Sequence, residues 1–111
     1  SFDVQLALAT GERVTWKPGA GPARAAASFV MRRFRDARVR SVPTPAQQSA
    51  VRARVPGTHI KLLCQPGERL SQHSQDVGSF RYCIVNMAAP SRRALMQQYR
   101  EAERLLPFSF G

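Results

Sequence analysis

Apolar and polar residues alternate with a period of two along several parts of this chain. The strongest runs are 2–9 and 80–88. In the first, Phe2, Val4 and Leu6 share one face, and in the second most positions on both faces are apolar. A period of two predicts a strand, and apolar residues on both faces indicate a strand inside a sheet. Shorter strands are predicted at 39–42, 59–65 and 108–110.

Two other stretches repeat apolar residues with the period of an α-helix. At 23–37 the apolar stripe includes Phe29 and Phe34, and arginines lie off that stripe. At 91–106 the stripe begins at Leu95, and a proline stands on each side of the segment. The pattern predicts two amphipathic helices, each packing an apolar face on a sheet and directing charge outward.

Proline and glycine mark the remaining segments as loops. The segment 12–22 is predicted as a loop, and 43–58 and 66–79 as loop insertions. Residues 47–54 fit a short helix as well as an extended piece, so both interpretations of that stretch remain open. All of these elements belong to one predicted domain, 1–111.

The order strand, helix, strand, strand, helix, strand predicts an α+β fold. Its expected form is a ferredoxin-like βαββαβ sandwich, in which an antiparallel sheet carries two helices on one face. Right-handed crossovers would place the first and third strands, 2–9 and 80–88, in the middle of the sheet.

The net charge of the chain indicates what kind of partner it binds. The chain has 17 Lys and Arg against 7 Asp and Glu, a formal net charge of +10. Such an excess repels itself in the folded state, so it predicts an anionic partner: nucleic acid first, then an acidic protein or lipid surface. All basic residues except Lys17 and Lys61 are arginines, which bind phosphate bidentately and stack on bases. A GC-rich coding sequence would also favour arginine, but it would not explain the net charge.

Eight arginines are the candidate RNA contacts. The densest run follows the outer face of the predicted first helix, a second pair alternates with apolar residues, and a third pair opens the second helix. There, positive charge opposes the helix dipole, and an external anion would relieve this. The competing interpretation in each case is a solvated surface. The candidates are Arg32, Arg35, Arg38, Arg40, Arg52, Arg54, Arg92 and Arg93.

Other chemistry is weakly represented. Cys64, Cys83 and the two histidines, His59 and His73, contain no close pair of the Cys-x-x-Cys kind, so no metal or cofactor is predicted. No nucleophile, base and acid stand at a recognisable spacing, so the chain is predicted not to be an enzyme. Trp16, in a predicted loop, would stack on a base or pack on its own domain. No transmembrane run or signal peptide is visible.

The last third of the chain resembles a known family. The run Phe80-Arg81-Tyr82-Cys83-Ile84-Val85-Asn86-Met87-Ala88-Ala89-Pro90, followed by the helix at 91–106, is similar to the third strand and second helix of the small-subunit ribosomal proteins numbered six. The expected first strand and first helix also fall in order. Departures lie in between: Leu63-Cys64-Gln65-Pro66 keeps only the Leu and Pro of the family pattern, no Trp-Gly is present, and the segment is longer.

The resemblance implies a structural protein of the small ribosomal subunit. It would bind ribosomal RNA together with a neighbouring small-subunit protein, numbered eighteen. It would bind neither a small-molecule substrate nor a membrane. The strong basicity and the departures fit a divergent mitochondrial member in the matrix ribosome, with the bacterial cytoplasm as the alternative. A hypothesis from a different class is a basic accessory subunit of a mitochondrial respiratory or ATP synthase complex.

Overall fold

The computed structural model of this chain describes residues 4–7, 13–17, 25–72 and 79–111. The fold is α+β, with an antiparallel sheet and two helices, and this confirms the predicted fold class. The strands are β1 (Val4–Ala7), β2 (Arg13–Lys17), β3 (Ala25–Arg33), β4 (Val39–Ser41), β5 (His59–Leu62), β6 (Phe80–Ala89) and β7 (Ser109–Phe110). The helices are α1 (Pro45–Arg54) and α2 (Arg92–Leu105), and a single 3-10 turn covers Leu70–Gln72.

From β4 onward the chain runs strand, helix, strand, strand, helix, strand, consistent with a ferredoxin-like βαββαβ arrangement. Five strands form the main sheet in the order β1-β2-β3-β6-β5, and every neighbouring pair is antiparallel. Strands β4 and β7 form a separate two-stranded sheet. The predicted central position of the first strand is wrong: β1 stands at an edge, because β2 and β3 lie between it and β6.

The helix predicted at 23–37 is wrong, because the described part of this segment is mostly strand β3. The buried residues of β3 recur with a period of two, and β6 supplies a buried partner opposite each of them, such as Val85 opposite Phe29. Alanine is apolar at either period, so an alanine-rich run fits both patterns. Pairing with β2 and β6 satisfies the backbone on both sides and overrides the helix propensity of the alanines.

Two predicted loops also contain regular structure. The predicted loop at 12–22 includes β2, whose Val, Thr and Trp are strand-forming residue types. The segment 43–58, predicted as a loop insertion, contains α1. The Thr44 hydroxyl accepts from the Gln47 N–H at 3.1 Å, and the Gln47 side chain accepts from the Thr44 N–H at 2.8 Å. This reciprocal capping box, with Pro45 in the first turn, starts the helix. The final element, β7, is the short strand predicted at the end of the chain.

The main core lies between the sheet and both helices. Alternate residues of β3 and β6 face Val51 of α1 and Leu95, Tyr99 and Ala102 of α2. The rings of Phe29 and Tyr99 stack with centroids 3.9 Å apart. Both helices therefore cover the same face of the sheet, as the sequence predicts.

A second, smaller cluster lies at one end of the molecule, beneath β4 and β7. Its fully buried members are Val39, Cys64 and Leu70, and half-buried aromatic residues such as Phe80 and Phe110 pack around them. This cluster supports the end of β3, the following bend and β4, where four of the eight candidate arginines lie.

Candidate nucleic-acid interface

Five arginines and one phenylalanine come together where β3 ends and β4 begins. We term this surface the β3–β4 basic patch. The register of β3 with β6 shifts between Met31 and Arg32, and after β3 ends at Arg33 a short bend leads into β4. The patch contains four of the eight predicted contacts. Its members are Arg32, Arg33, Phe34, Arg35, Arg38 and Arg40.

Alternation along β4 exposes two of these arginines together. Val39 is buried in the small cluster, so Arg38 and Arg40 on either side of it are directed away from that cluster and are exposed. The backbones of Arg38 and Gly111 exchange hydrogen bonds of 3.2 and 2.9 Å. The Arg40 side chain lies against Gly111, so closely that a Cβ at position 111 would fall 2.8 Å from its Nε. The pairing with β7 thus fixes where both cations stand.

Two other arginines of the patch are held by contacts within the protein. Arg32 donates from Nη1 to the hydroxyl of the buried Ser79 at 2.8 Å. The Arg33 guanidinium lies over the ring of Phe110, 4.4 Å from its centroid, a distance suited to a cation–π interaction. Arg32 and Arg33 are both half-buried, whereas Arg35 is exposed. The inner pair therefore anchors the patch, and the outer arginines carry its accessible charge.

Asp36 is the acidic residue inside this segment, and loop contacts occupy it. Its carboxylate accepts from the Ser71 hydroxyl at 2.7 Å, the Ser71 N–H at 3.0 Å and the Ala37 N–H at 2.8 Å, and it pairs with Arg69 at 3.4 Å. The hydrogen bond from the Ser71 side chain is the main reason that the pKa of Asp36 is lowered. The carboxylate thus ties the bend to the 3-10 turn and is bonded to none of the patch arginines.

Backbone pairing also brings two positively charged residues opposite each other beside the patch. Arg38 and Arg69 face each other across an isolated antiparallel bridge. Like charges on directly paired residues destabilise a sheet. The Asp36–Arg69 pair offsets part of that repulsion, and an external anion at Arg38 would offset the rest.

The second predicted pair lies elsewhere, on α1. Arg52 and Arg54 are exposed, but Arg54 forms an ion pair with Glu101 of α2. The Arg54 and Glu101 side chains lie at a cleft of about 250 Å³ between the helices, and the walls of this cleft include Val51 and Leu105. A carboxylate already neutralises Arg54, so this pair is a weaker anion site than the β3–β4 basic patch.

The third predicted pair lies at the opposite end of the sheet. Arg92 and Arg93 are exposed in the first turn of α2, where the Ser91 hydroxyl caps the Ala94 N–H and no acidic residue is present. Helix α2 follows the end of β6 that pairs with the start of β3, whereas the patch follows the end of β3. The length of β3 separates them, roughly 25 Å at 3.3 Å per residue. The eight candidates therefore do not form one surface.

Two members of the interface, Arg33 and Phe34, are not among the eight predicted contacts, and Phe34 is the one whose environment the sequence interpretation misassigned. The predicted helix at 23–37 placed it in the buried stripe, but its side chain is 62% exposed. The signal that would have found it is the strand period of Ala25, Ala27, Phe29 and Met31, which leaves residue 34 beyond the end of the buried series.

The other chemically interesting residues stay apart. Cys64 and Cys83 are buried free thiols, and burial raises their pKa values to about 11 and about 12. His59 is exposed on β5, His73 lies outside the described residues, and Trp16, predicted in a loop, lies in β2. Across 25–72 and 79–111, no three His, Cys, Asp or Glu side chains are grouped as metal ligands would be.

In the described parts of the chain, neither helix has the length and apolar composition needed to cross a membrane. Comparisons with protein-family models, with curated proteins and with solved structures found no match.

Proposed function

We propose that this chain is a non-enzymatic RNA-binding protein and a structural constituent of the small ribosomal subunit, in mitochondria. The β3–β4 basic patch is the observation that carries the proposal. It presents Arg35, Arg38 and Arg40 to solvent, while the carboxylate within the segment, Asp36, is bonded to Ser71 and Arg69.

Exposed guanidinium groups on a fixed backbone bind phosphate because each presents a planar set of donors. Each phosphate that they neutralise releases condensed counterions, which makes RNA binding favourable and salt-dependent. Strand pairing fixes Arg38 and Arg40, so little conformational entropy of the backbone is lost on binding. These properties support binding and placement of RNA, without chemistry, as the role of the patch.

The ribosomal assignment draws on a different part of the chain. It is supported by the resemblance of β6 and α2 to the ribosomal family numbered six, with β7 following in the expected order. The segment 23–37 lends no support, since it is not the helix that the resemblance expects. On this proposal the partners are ribosomal RNA and a neighbouring small-subunit protein, and the compartment is the mitochondrial matrix.

The RNA-binding part is tested with a charge-matched pair of triple variants. Replacing Arg35, Arg38 and Arg40 together by Ala should reduce the slope of log affinity against log salt by about two to three units. A control removes three exposed cations that are not candidate contacts, Lys61, Arg100 and Arg104, and loses the same charge. We expect the control to change the slope by less than one unit. Equal effects of the two triples would show that net charge, and not the patch, drives binding.

The ribosomal part is tested by sedimentation of the tagged protein with and without RNase. Cosedimentation with the small ribosomal subunit that is lost after RNase treatment is the expected result. Comigration with a detergent-solubilised respiratory or ATP synthase complex, unchanged by RNase, would contradict the proposal and favour the accessory-subunit hypothesis.

A further inference from the structure

Phe34 is the aromatic member of the β3–β4 basic patch. Within 25–72 and 79–111 it is the exposed large hydrophobic side chain, at 62%, whereas the other aromatic residues of these two ranges are buried or half-buried. Together with Arg32, Arg33 and Arg35 it lines an open depression of about 230 Å³. An accessible aromatic ring surrounded by guanidinium groups therefore needs a physical reason.

The position of Phe34 is fixed on both sides. Immediately before it, Arg33 is held over the ring of Phe110 at 4.4 Å. Two residues after it, Asp36 is bonded to Ser71 and to the Ala37 N–H. These contacts hold the bend from which the side chain projects, so its exposure belongs to the folded structure. Such an arrangement presents the ring before any ligand arrives, which lowers the entropic cost of binding.

The ligand that suits this ring must combine a flat apolar face with negative charge close by. A nucleobase attached to its phosphates has both. An aromatic ring stacks on a base of any identity, while the neighbouring arginines bind the backbone. In a continuous duplex the faces of each base are covered by neighbouring base pairs, so only an unpaired base offers a free face.

We infer that Phe34 is a stacking platform for an unpaired RNA base, so that the β3–β4 basic patch binds single-stranded or bulged RNA in preference to a continuous duplex. This inference rests on the proposed RNA-binding function and names the form of RNA that it takes. An uncharged protein surface at Phe34 is disfavoured by the same surroundings, since it would remove the adjacent guanidinium groups from water without neutralising them.

The test compares two probes and two kinds of variant by fluorescence anisotropy. The probes are labelled oligoadenylate as a single strand and the same strand annealed to oligouridylate. Stacking on one base contributes about 1–3 kcal/mol, so Phe34→Ala should weaken binding of the single strand by at least about fivefold. Binding of the duplex should change less than twofold, because the arginines remain.

Matched substitutions separate stacking from simple apolar contact. Phe34→Trp keeps an aromatic face and should retain the preference for the single strand. Phe34→Leu keeps apolar volume without a ring and should behave as the Ala variant does. A 2-aminopurine placed in the single strand should be quenched on binding by the unmodified protein and by Phe34→Trp, but not by Phe34→Leu. Circular dichroism verifies that all three variants fold, as expected for an exposed position.

Each outcome decides between the inference and the proposal beneath it. If Phe34→Ala leaves single-strand binding unchanged while the Arg35, Arg38 and Arg40 triple abolishes it, the stacking inference is overturned and the RNA-binding function stands. Equal weakening of both probes by Phe34→Ala would also overturn the preference for unpaired bases. If the unmodified protein binds neither probe, the proposed function itself fails.

Discussion

The two hydrophobic clusters of this protein differ in size and in what they support. The main cluster joins both helices to β3 and β6 and buries many side chains, among them Phe29, Leu95 and Tyr99. The small cluster has three fully buried residues, Val39, Cys64 and Leu70, and lies beneath the β3–β4 basic patch. The scaffold is thus stabilised by one cluster and the candidate interface by the other. A cluster with few buried residues opens locally at a lower free-energy cost than a cluster with many.

Aromatic residues connect the two clusters. Tyr82 packs against both, with its ring edge-on to Phe108 at 4.7 Å and to Phe110 at 5.1 Å between centroids. Because the link consists of a few half-buried rings, a truncation in the main cluster should leave the patch intact as long as the domain stays folded, whereas a truncation in the small cluster should act on the patch directly.

The largest effect is expected from truncating the main cluster. Phe29 is fully buried in β3 and stacks on Tyr99, so Phe29→Ala leaves a cavity and removes the ring contact. We expect a loss of about 3–5 kcal/mol in the free energy of unfolding, measured by urea denaturation. Since a small domain has only about 5–15 kcal/mol in total, RNA binding should weaken as the protein unfolds.

The milder Phe29→Leu variant is the control for that experiment. It keeps most of the apolar volume and should lose clearly less stability than the Ala variant. A Phe29→Ala protein with unchanged urea midpoint would mean that β3 does not pack as described.

A smaller and more local effect is expected in the small cluster. Leu70 is fully buried, and its N–H donates to the Ala37 carbonyl at 3.0 Å, directly below the patch. Leu70→Ala should cost about 2 kcal/mol or more. Hydrogen exchange should quicken at the Val39 and Gly67 amides, which bond across this region, more than in β6.

Leu105→Ala, in the main cluster, is the matched control for Leu70→Ala. Leu105 is half-buried against the main cluster, so its loss should lower stability while leaving the affinity for RNA unchanged. Leu70→Ala should lower that affinity at temperatures at which the protein remains folded. Equal affinities for the two variants would show that the patch does not depend on the small cluster.

The smallest expected effect is a local loss of stability at acid pH. The pKa of Asp36 is lowered, chiefly by the Ser71 hydroxyl, so the folded bend favours the charged carboxylate. Stability from this group is complete above the unfolded pKa, near the ordinary 3.8, and is lost as the pH falls through the lower folded value. NMR should show the Ser71 amide signal shifting in that acid range, before the signals of β6 change.

Asp36→Asn tests the assignment of that acid transition. The amide retains a carbonyl acceptor but does not titrate in this range, so the Ser71 signal should become insensitive to acid. A transition that persists in the variant would assign it to another carboxylate.

Helix α2 was predictable from sequence because only the helical period fits it, and strand β6 because its apolar run is rich in aromatic and β-branched residues. Strand β3 was not, since its alanines satisfy the strand and helix periods equally and long-range pairing decides between them. Helix α1 carried a readable signal, the Thr44-Pro45-Ala46-Gln47 capping box, in a segment whose prolines favoured a loop.

The candidate site was predictable as a set of residues but not as a surface. Arginine clusters at 32–40 and 92–93 are visible in the sequence, but their separation at opposite ends of β3 depends on the register with β6. The neutralisation of Arg54 depends on a contact with Glu101 of the other helix. The exposure of Phe34 depends on where β3 ends. Tertiary pairing determines all three properties.

The pairing of β4 with β7 also constrains when the interface can form. Arg38 and Gly111 close this ladder across nearly two-thirds of the chain, and such sequence-distant contacts are entropically costly and slow to form. During translation β4 therefore remains without its partner strand until residues 109–111 have been synthesised and have left the ribosomal tunnel. A nascent chain would bring its helices and β6 together first and order the arginines of β4 last, once residues 109–111 are free to pair with it.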